Sequence, residues 1–221
     1  MKVIIVDDKK TGNSFSFKDK VVELSSELKH FFFFYEYLDN IVQLNDDRDE
    51  ILDLKVNFNN ISWMFVHQNI KHPFADKPHI LLKHLPLHCG LVLFSGKKSS
   101  NLSMVDTRES YSFPQLENRP HYEIERSILY SRFERFIGTE KILGYFDLRA
   151  LYEPEYNIQE IVIEELVKLI EVYEKNTIEL DRFKMLLDYL NYSPNQIDSI
   201  IERFRSISCG EIIENLKQIK Q

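Results

Sequence analysis

The sequence predicts an α/β fold, in which a parallel sheet flanked by helices is followed by a small all-α domain. Three observations predict it. Ile61-Ser-Trp-Met-Phe-Val-His67 places five apolar residues in six positions and ends on an imidazole. Val3-Ile-Ile-Val6 and Leu91-Val-Leu-Phe94 are shorter runs of the same kind, leading into Asp7-Asp8 and Ser95-Gly96. Continuous apolar runs between polar residues mark strands buried on both faces, the pattern of a parallel sheet. From Ile158 onward, by contrast, apolar residues recur at helical spacing.

The elements follow in order. Lys2–Val6 is the first strand, and the polar loop Asp7–Ser14 carries Thr11-Gly-Asn. Phe17–His30 reads as an amphipathic helix through Val21, Val22, Leu24 and Leu28. Its aromatic content makes Phe31–Tyr37 a strand. Asp46–Glu50 reads as a solvated turn leading into a short helix through Leu54. After the central strand, His79–Leu85 is a short helix stopped near Pro86. Leu102–Val105 is a short fifth strand, and Arg119–Ile137 a long helix. Four helices are predicted beyond it, over Ile158–Glu174, Glu179–Leu190, Pro194–Ser206 and Glu211–Lys220. Ser193 before Pro194 is a start signal, an N-cap hydroxyl followed by a residue preset for the first turn. Gly138 and Gly144 mark a break, which divides the chain into an α/β domain over 1–145 and a helical domain over 146–221.

Charge separates the same two parts. Residues 1–150 hold 20 Lys+Arg against 21 Asp+Glu, and residues 151–221 hold 8 against 14, giving −1 and −6 of the total −7. An acidic balance opposes a nucleic-acid footprint, because phosphate contacts dominate that affinity. Arg203-Phe-Arg205 is too small a basic cluster to reverse it. No apolar run approaches the roughly 20 residues needed to span a bilayer. Two cysteines, Cys89 and Cys209, make no disulfide framework. The N-terminus enters a strand without a basic region and apolar segment of the secretory kind. A cytoplasmic protein is expected.

The chemistry-bearing residues gather after the strands, at the edge where open α/β sheets bind ligands. Asp7 and Asp8 are oxygen donors suited to a hard cation such as Mg²⁺. They are equally readable as solvated loop acids. His67 can accept a phosphoryl group, ligate a metal or act as a base, although a histidine at a strand end more often serves structure. Ser95 and Lys97 complete a candidate phosphate or ligand pocket with His67. Five of the seven histidines fall between His67 and His88, but His79 and His84 are five apart and share no helix face, so no zinc site is read there. Gly96-Lys-Lys-Ser-Ser lacks the upstream glycine of a phosphate loop.

Val-Asp-Asp after the first strand, a buried strand ending in a special polar residue, and a later strand ending Phe-Ser-Gly resemble a response-regulator receiver domain. The resemblance covers roughly residues 1–140 and implies a flavodoxin-like sheet. In that family the acidic pair binds Mg²⁺. An Asp after the third strand accepts phosphate, a Ser or Thr after the fourth contacts it, and a Lys after the fifth pairs with it. Asp7, Asp8 and Ser95 fill three of those places. His67 stands at the acceptor position, and Val105 is followed by Asp106-Thr-Arg108 rather than Lys. The resemblance therefore implies a pseudo-receiver with a helical extension. It points to a regulatory or adaptor subunit of a prokaryotic-type signalling or effector complex that works by protein contact and not by catalysis. The alternative is a metal- or phosphate-dependent enzyme or phospho-switch using Asp7, Asp8, His67 and Ser95. Another protein chain is the expected partner. Ile200 and Phe204, on the apolar face of the third of the four C-terminal helices, are the candidate contact residues.

Overall fold

The structure is a computed structural model that describes residues 2–8, 16–24, 28–47, 50–67, 78–96, 103–105, 121–173 and 180–204. It forms two compact units, Met1–Ile137 with Leu148–Tyr152, and Gly138–Asp147 with Glu153–Gln221.

The first unit is built on a six-stranded sheet. Its strands are β1 (Lys2–Val6), β2 (Phe32–Tyr35), β5 (Ile61–His67), β6 (Gly90–Ser95), β7 (Ser103–Val105) and β8 (His121–Glu125). They lie in the order β2-β1-β5-β6-β8-β7. The first five are parallel, and β7 joins β8 antiparallel at the edge. Numbered along the chain, the parallel strands run 2-1-3-4-5, which is the flavodoxin-like order. The three apolar runs are thus neighbours, with Val6 beside Val66 and His67 beside Phe94.

Both faces of the sheet are covered, as continuous apolar strands require. One face carries Ile4, Val6, Met64, Val66, Leu91 and Leu93. They pack under Leu81, Leu82 and Leu85 of α2 (Pro78–His84) and its end. The hairpin of β3 (Val42–Leu44) and β4 (Ile51–Leu54) supplies Val42 and Ile51 to the same core. The opposite face is aromatic. Phe17 of α1 (Phe17–Leu24) sits edge-on to Phe94 and to Phe133 of α3 (Arg126–Leu143). Phe133 and Phe136 in turn pack edge-on against Phe65. Lys20 donates to the Tyr130 carbonyl at 2.8 Å and lies over its ring, which ties α1 to α3.

Several expected elements differ. Ile51–Leu54 is a strand of the hairpin and not a helix, because Ile51 must reach the core while Leu52 and Asp53 stay exposed. Within the expected helix Phe17–His30, Phe17–Leu24 is α-helical, and a 3₁₀ turn covers Leu28–Phe31. The strand near Val105 is antiparallel. The fifth parallel strand is His121–Glu125, taken from what read as the start of a helix, and α3 begins at Arg126.

The helical unit packs α5 (Ile158–Tyr173), α6 (Leu180–Tyr189) and α7 (Pro194–Phe204) around Val162, Leu166, Ile170, Phe183, Leu186 and Leu187. Ile197 joins this core and Ile200 packs against it half-buried. Ser193 caps α7 as the sequence indicates. Its N–H donates to Gln196 Oε1 at 2.8 Å, and its Oγ receives the Gln196 N–H at 3.4 Å, a reciprocal capping box. Arg182 of α6 donates to Glu165 Oε2 at 3.0 Å and to the Leu143 carbonyl at 3.2 Å. The proposed helix Glu211–Lys220 lies outside the described residues. Among the described residues, no helix is long and apolar enough to cross a membrane.

Candidate functional site

The strand order sets the site. The chain runs from β1 outward to β2, then returns to place β5 on the other side of β1. Neighbouring strand ends at such a reversal splay apart and leave a crevice. Asp7 and Asp8 follow β1 at this point, and His67 is the last residue of β5.

Three of the expected site residues converge. His67 Nδ1 lies 3.0 Å from Asp8 Oδ1 and 3.9 Å from Asp7 Oδ1. Candidate donor atoms of Asp7, Asp8 and His67 all fall within 4.8 Å of one another. His67 and the Asp7 side chain are buried, whereas Asp8 is about half exposed. Ser95 ends β6 on the same edge of the sheet and is buried. Lys97 lies outside the described residues, as do Lys98, His72 and Cys209. His88 takes no part, since its Nε2 lies 3.0 Å from the Phe58 carbonyl.

A fourth residue was not recognised in the sequence. Arg126 follows β8 directly and holds Asp7 through two hydrogen bonds, Nη1 to Oδ2 at 2.9 Å and Nη2 to Oδ1. Its guanidinium also lies over the Phe94 ring, 4.9 Å from the centroid. His67 stacks on that same ring at 5.3 Å. A cation therefore does follow the fifth parallel strand. Reading that position after Val105 places it behind β7, the antiparallel edge strand, and the residue behind β8 is an arginine where the family pattern has a lysine. The usable signal was His121-Tyr-Glu-Ile-Glu125, whose polar–apolar alternation is that of a strand with one wetter face.

Burial favours the neutral form of the imidazole. Burial holds the His67 pKa below the usual histidine value and the nearby Arg126 charge adds to this, while Asp8 and Asp7 oppose it. The geometry then puts the proton on Nδ1, which donates to Asp8 Oδ1. The arrangement is two carboxylates, one steadied by a buried guanidinium and one by an imidazole, at a strand-end crevice.

The family resemblance implies Mg²⁺, and the donor set does not suit it. Mg²⁺ demands octahedral oxygen donors and keeps several waters. Here the third donor is an imidazole nitrogen packed on Phe94, and both oxygens of Asp7 already receive Arg126.

Of the two contact residues expected on α7, Ile200 is half-buried against its own unit, and the side chain of Phe204 lies outside the described residues. Comparison of the chain with protein-family models, curated proteins and solved structures found no match.

Proposed function

We propose that the chain is a non-catalytic regulatory protein, a pseudo-receiver that works by protein–protein contact within a cytoplasmic, prokaryotic-type signalling or effector complex. One observation carries this reading. The two strand-end carboxylates are held by the protein's own groups, Arg126 on Asp7 and His67 on Asp8. A carboxylate acceptor would form a mixed anhydride with phosphate, and the imidazole at that place does not. The flavodoxin-like sheet supplies a rigid surface, and the acidic helical unit supplies the attachment.

A second reading is favoured by the convergence of Asp7, Asp8 and His67 on one point, with Ser95 ending the next strand: a metal- or phosphate-dependent enzyme or phospho-switch. One experiment separates the two. The full chain is incubated with acetyl phosphate and Mg²⁺ and its intact mass recorded, alongside capture of its partner from the native host. The regulatory reading expects no phosphoryl adduct and a stoichiometric protein partner. A phosphoryl group mapped to His67 supports the second reading, and one mapped to Asp7 or Asp8 overturns the pseudo-receiver assignment.

A further inference from the structure

We propose that β2 is a self-association edge, along which two copies of this chain pair antiparallel about a two-fold axis and so extend the sheet. The proposal goes beyond the regulatory reading and does not depend on it.

Among the described residues, β2 is the outermost strand on its side of the sheet. The Tyr35 carbonyl accepts the Asp7 N–H at 2.9 Å, so the Tyr35 main chain faces β1. Main-chain groups alternate sides along a strand, and those of Phe34 therefore point away from β1. Edge strands that avoid pairing carry a charge, a proline or a bulge. Phe32-Phe-Phe-Tyr35 has neither charge nor proline, and its register with β1 is unbroken. Phe33, Phe34 and Tyr35 are each only half-buried. Phe33 and Tyr35 lean on the core of one face, and Phe34 stacks on Phe32 at 6.3 Å. A strand laid beside β2 covers the remaining aromatic area through cross-strand pairs.

Charge selects the occupant and its direction. Lys29 and His30 precede the aromatic run, Glu36 follows it, and all three are exposed. A parallel copy would set like groups side by side. An antiparallel copy sets the basic start of each chain against the acidic end of the other, at both ends of the contact. With the axis at Phe33, His30 on the turn leading into β2 meets Glu36 of the second copy, because both lie three residues from the axis. The imidazole can donate to that carboxylate, and Lys29 adds its charge beside it. Tyr37 donates to Glu36 Oε1 at 2.8 Å and so holds the carboxylate at the end of the strand. One patch thus complements itself, as a two-fold contact requires.

Sedimentation of the full chain over a concentration series reaching the millimolar range tests this. The expected result is a reversible monomer–dimer equilibrium. His30→Glu sets carboxylate against carboxylate, and Glu36→Lys sets a cation beside the basic start of the other copy. Each should weaken the dimer at least about tenfold, with an unchanged circular dichroism spectrum. Mixed in equal amounts, the two variants should recover a dimer within about threefold of the parent, since one end gains a Glu–Lys pair and the other keeps the original pair. A general folding defect would give no such recovery. A chain that stays monomeric throughout the series overturns the proposal. So does a dimer that both single variants leave intact, or a mixture that stays as weak as its components.

Discussion

Arg126 and Asp7 stand 119 residues apart in sequence and are joined by two hydrogen bonds across the carboxyl edge of the sheet. The pair connects the end of β8 to the end of β1, although β5 and β6 lie between them. Both side chains are less than a tenth exposed. A planar fork meeting a carboxylate in this way fixes direction as well as charge.

Removing one partner of such a pair strands the other charge in the interior. Arg126→Ala should lower stability by about 3–5 kcal/mol. Arg126→Lys keeps the charge but loses the fork, and should cost less. Combining Arg126→Ala with Asp7→Asn should recover part of the loss. Urea midpoints at constant slope measure all three. Strictly additive losses in the double variant would show that the pair is not coupled.

Phe133 is the centre of the aromatic face. It is fully buried and meets Phe17, Phe32, Phe65 and Phe136. Phe133→Ala should cost about 3–5 kcal/mol, and Phe133→Leu distinctly less, because the surrounding rings cannot collapse into the space left. Thermal unfolding followed by circular dichroism gives the comparison.

Much of the sheet is legible in the sequence, because a strand buried on both faces has no choice but to be apolar throughout. Val3–Val6, Met64–Val66 and Leu91–Phe94 declare themselves in this way. His121–Glu125 does not. Ile124, Ile128 and Leu129 also satisfy helical spacing, so the strand merges into the helix that follows it. The site suffers accordingly. Asp7, Asp8 and His67 are visible as strand-end residues, but Arg126 is hidden until the boundary between β8 and α3 is known. Ile51–Leu54 is too short for either period to decide, and pairing with β3, with Ile51 turned into the core, makes it a strand.

Gly90 shows a constraint that no pattern reveals. A Cβ at this position would collide with the six-membered ring of Trp63 on the neighbouring strand. Trp63 also stands edge-on to Tyr122, with centroids 6.2 Å apart. Gly90→Ala should therefore push the indole outward and cost about 1–3 kcal/mol. Trp63 is the sole tryptophan, so its emission reports the displacement directly as a red shift. Adding Trp63→Leu should remove most of the penalty. An unchanged emission maximum in Gly90→Ala would refute the clash.

Acid should lower stability in part through His84 on α2. Burial lowers its pKa and Lys83 adds to this, against the opposing pull of Glu50 and Asp53. The unfolded chain therefore takes up the proton first as pH falls. The stability held by neutral His84 is complete above its unfolded value of 6.5 and is lost as pH drops through the lower folded value. His84→Gln should shrink the fall in melting temperature between about pH 7.5 and pH 5. An equal fall in both proteins would assign the effect to other groups.

The helical unit offers a test of whether a partner contact can be separated from folding. Ile200 packs half-buried on the core formed by Leu166, Phe183, Leu186 and Leu187, so its apolar area already stabilises its own unit. Ile200→Asp places a carboxylate against that core and should cost about 1–3 kcal/mol before any partner is added. Leu180 and Met185 on α6 are more than a third exposed. Leu180→Ser and Met185→Ser should each change stability by no more than about 0.5 kcal/mol. Partner capture by the four proteins, read beside their melting temperatures, then separates the two effects. Capture lost in Met185→Ser at unchanged stability places the contact on α6. Capture lost in Ile200→Asp alone, together with its lowered melting temperature, shows that the partner needs the folded helical unit, with Ile200 acting from within its core. An Ile200→Asp protein that melts like the parent would contradict the packing described here, because a half-buried isoleucine cannot become a carboxylate at no cost.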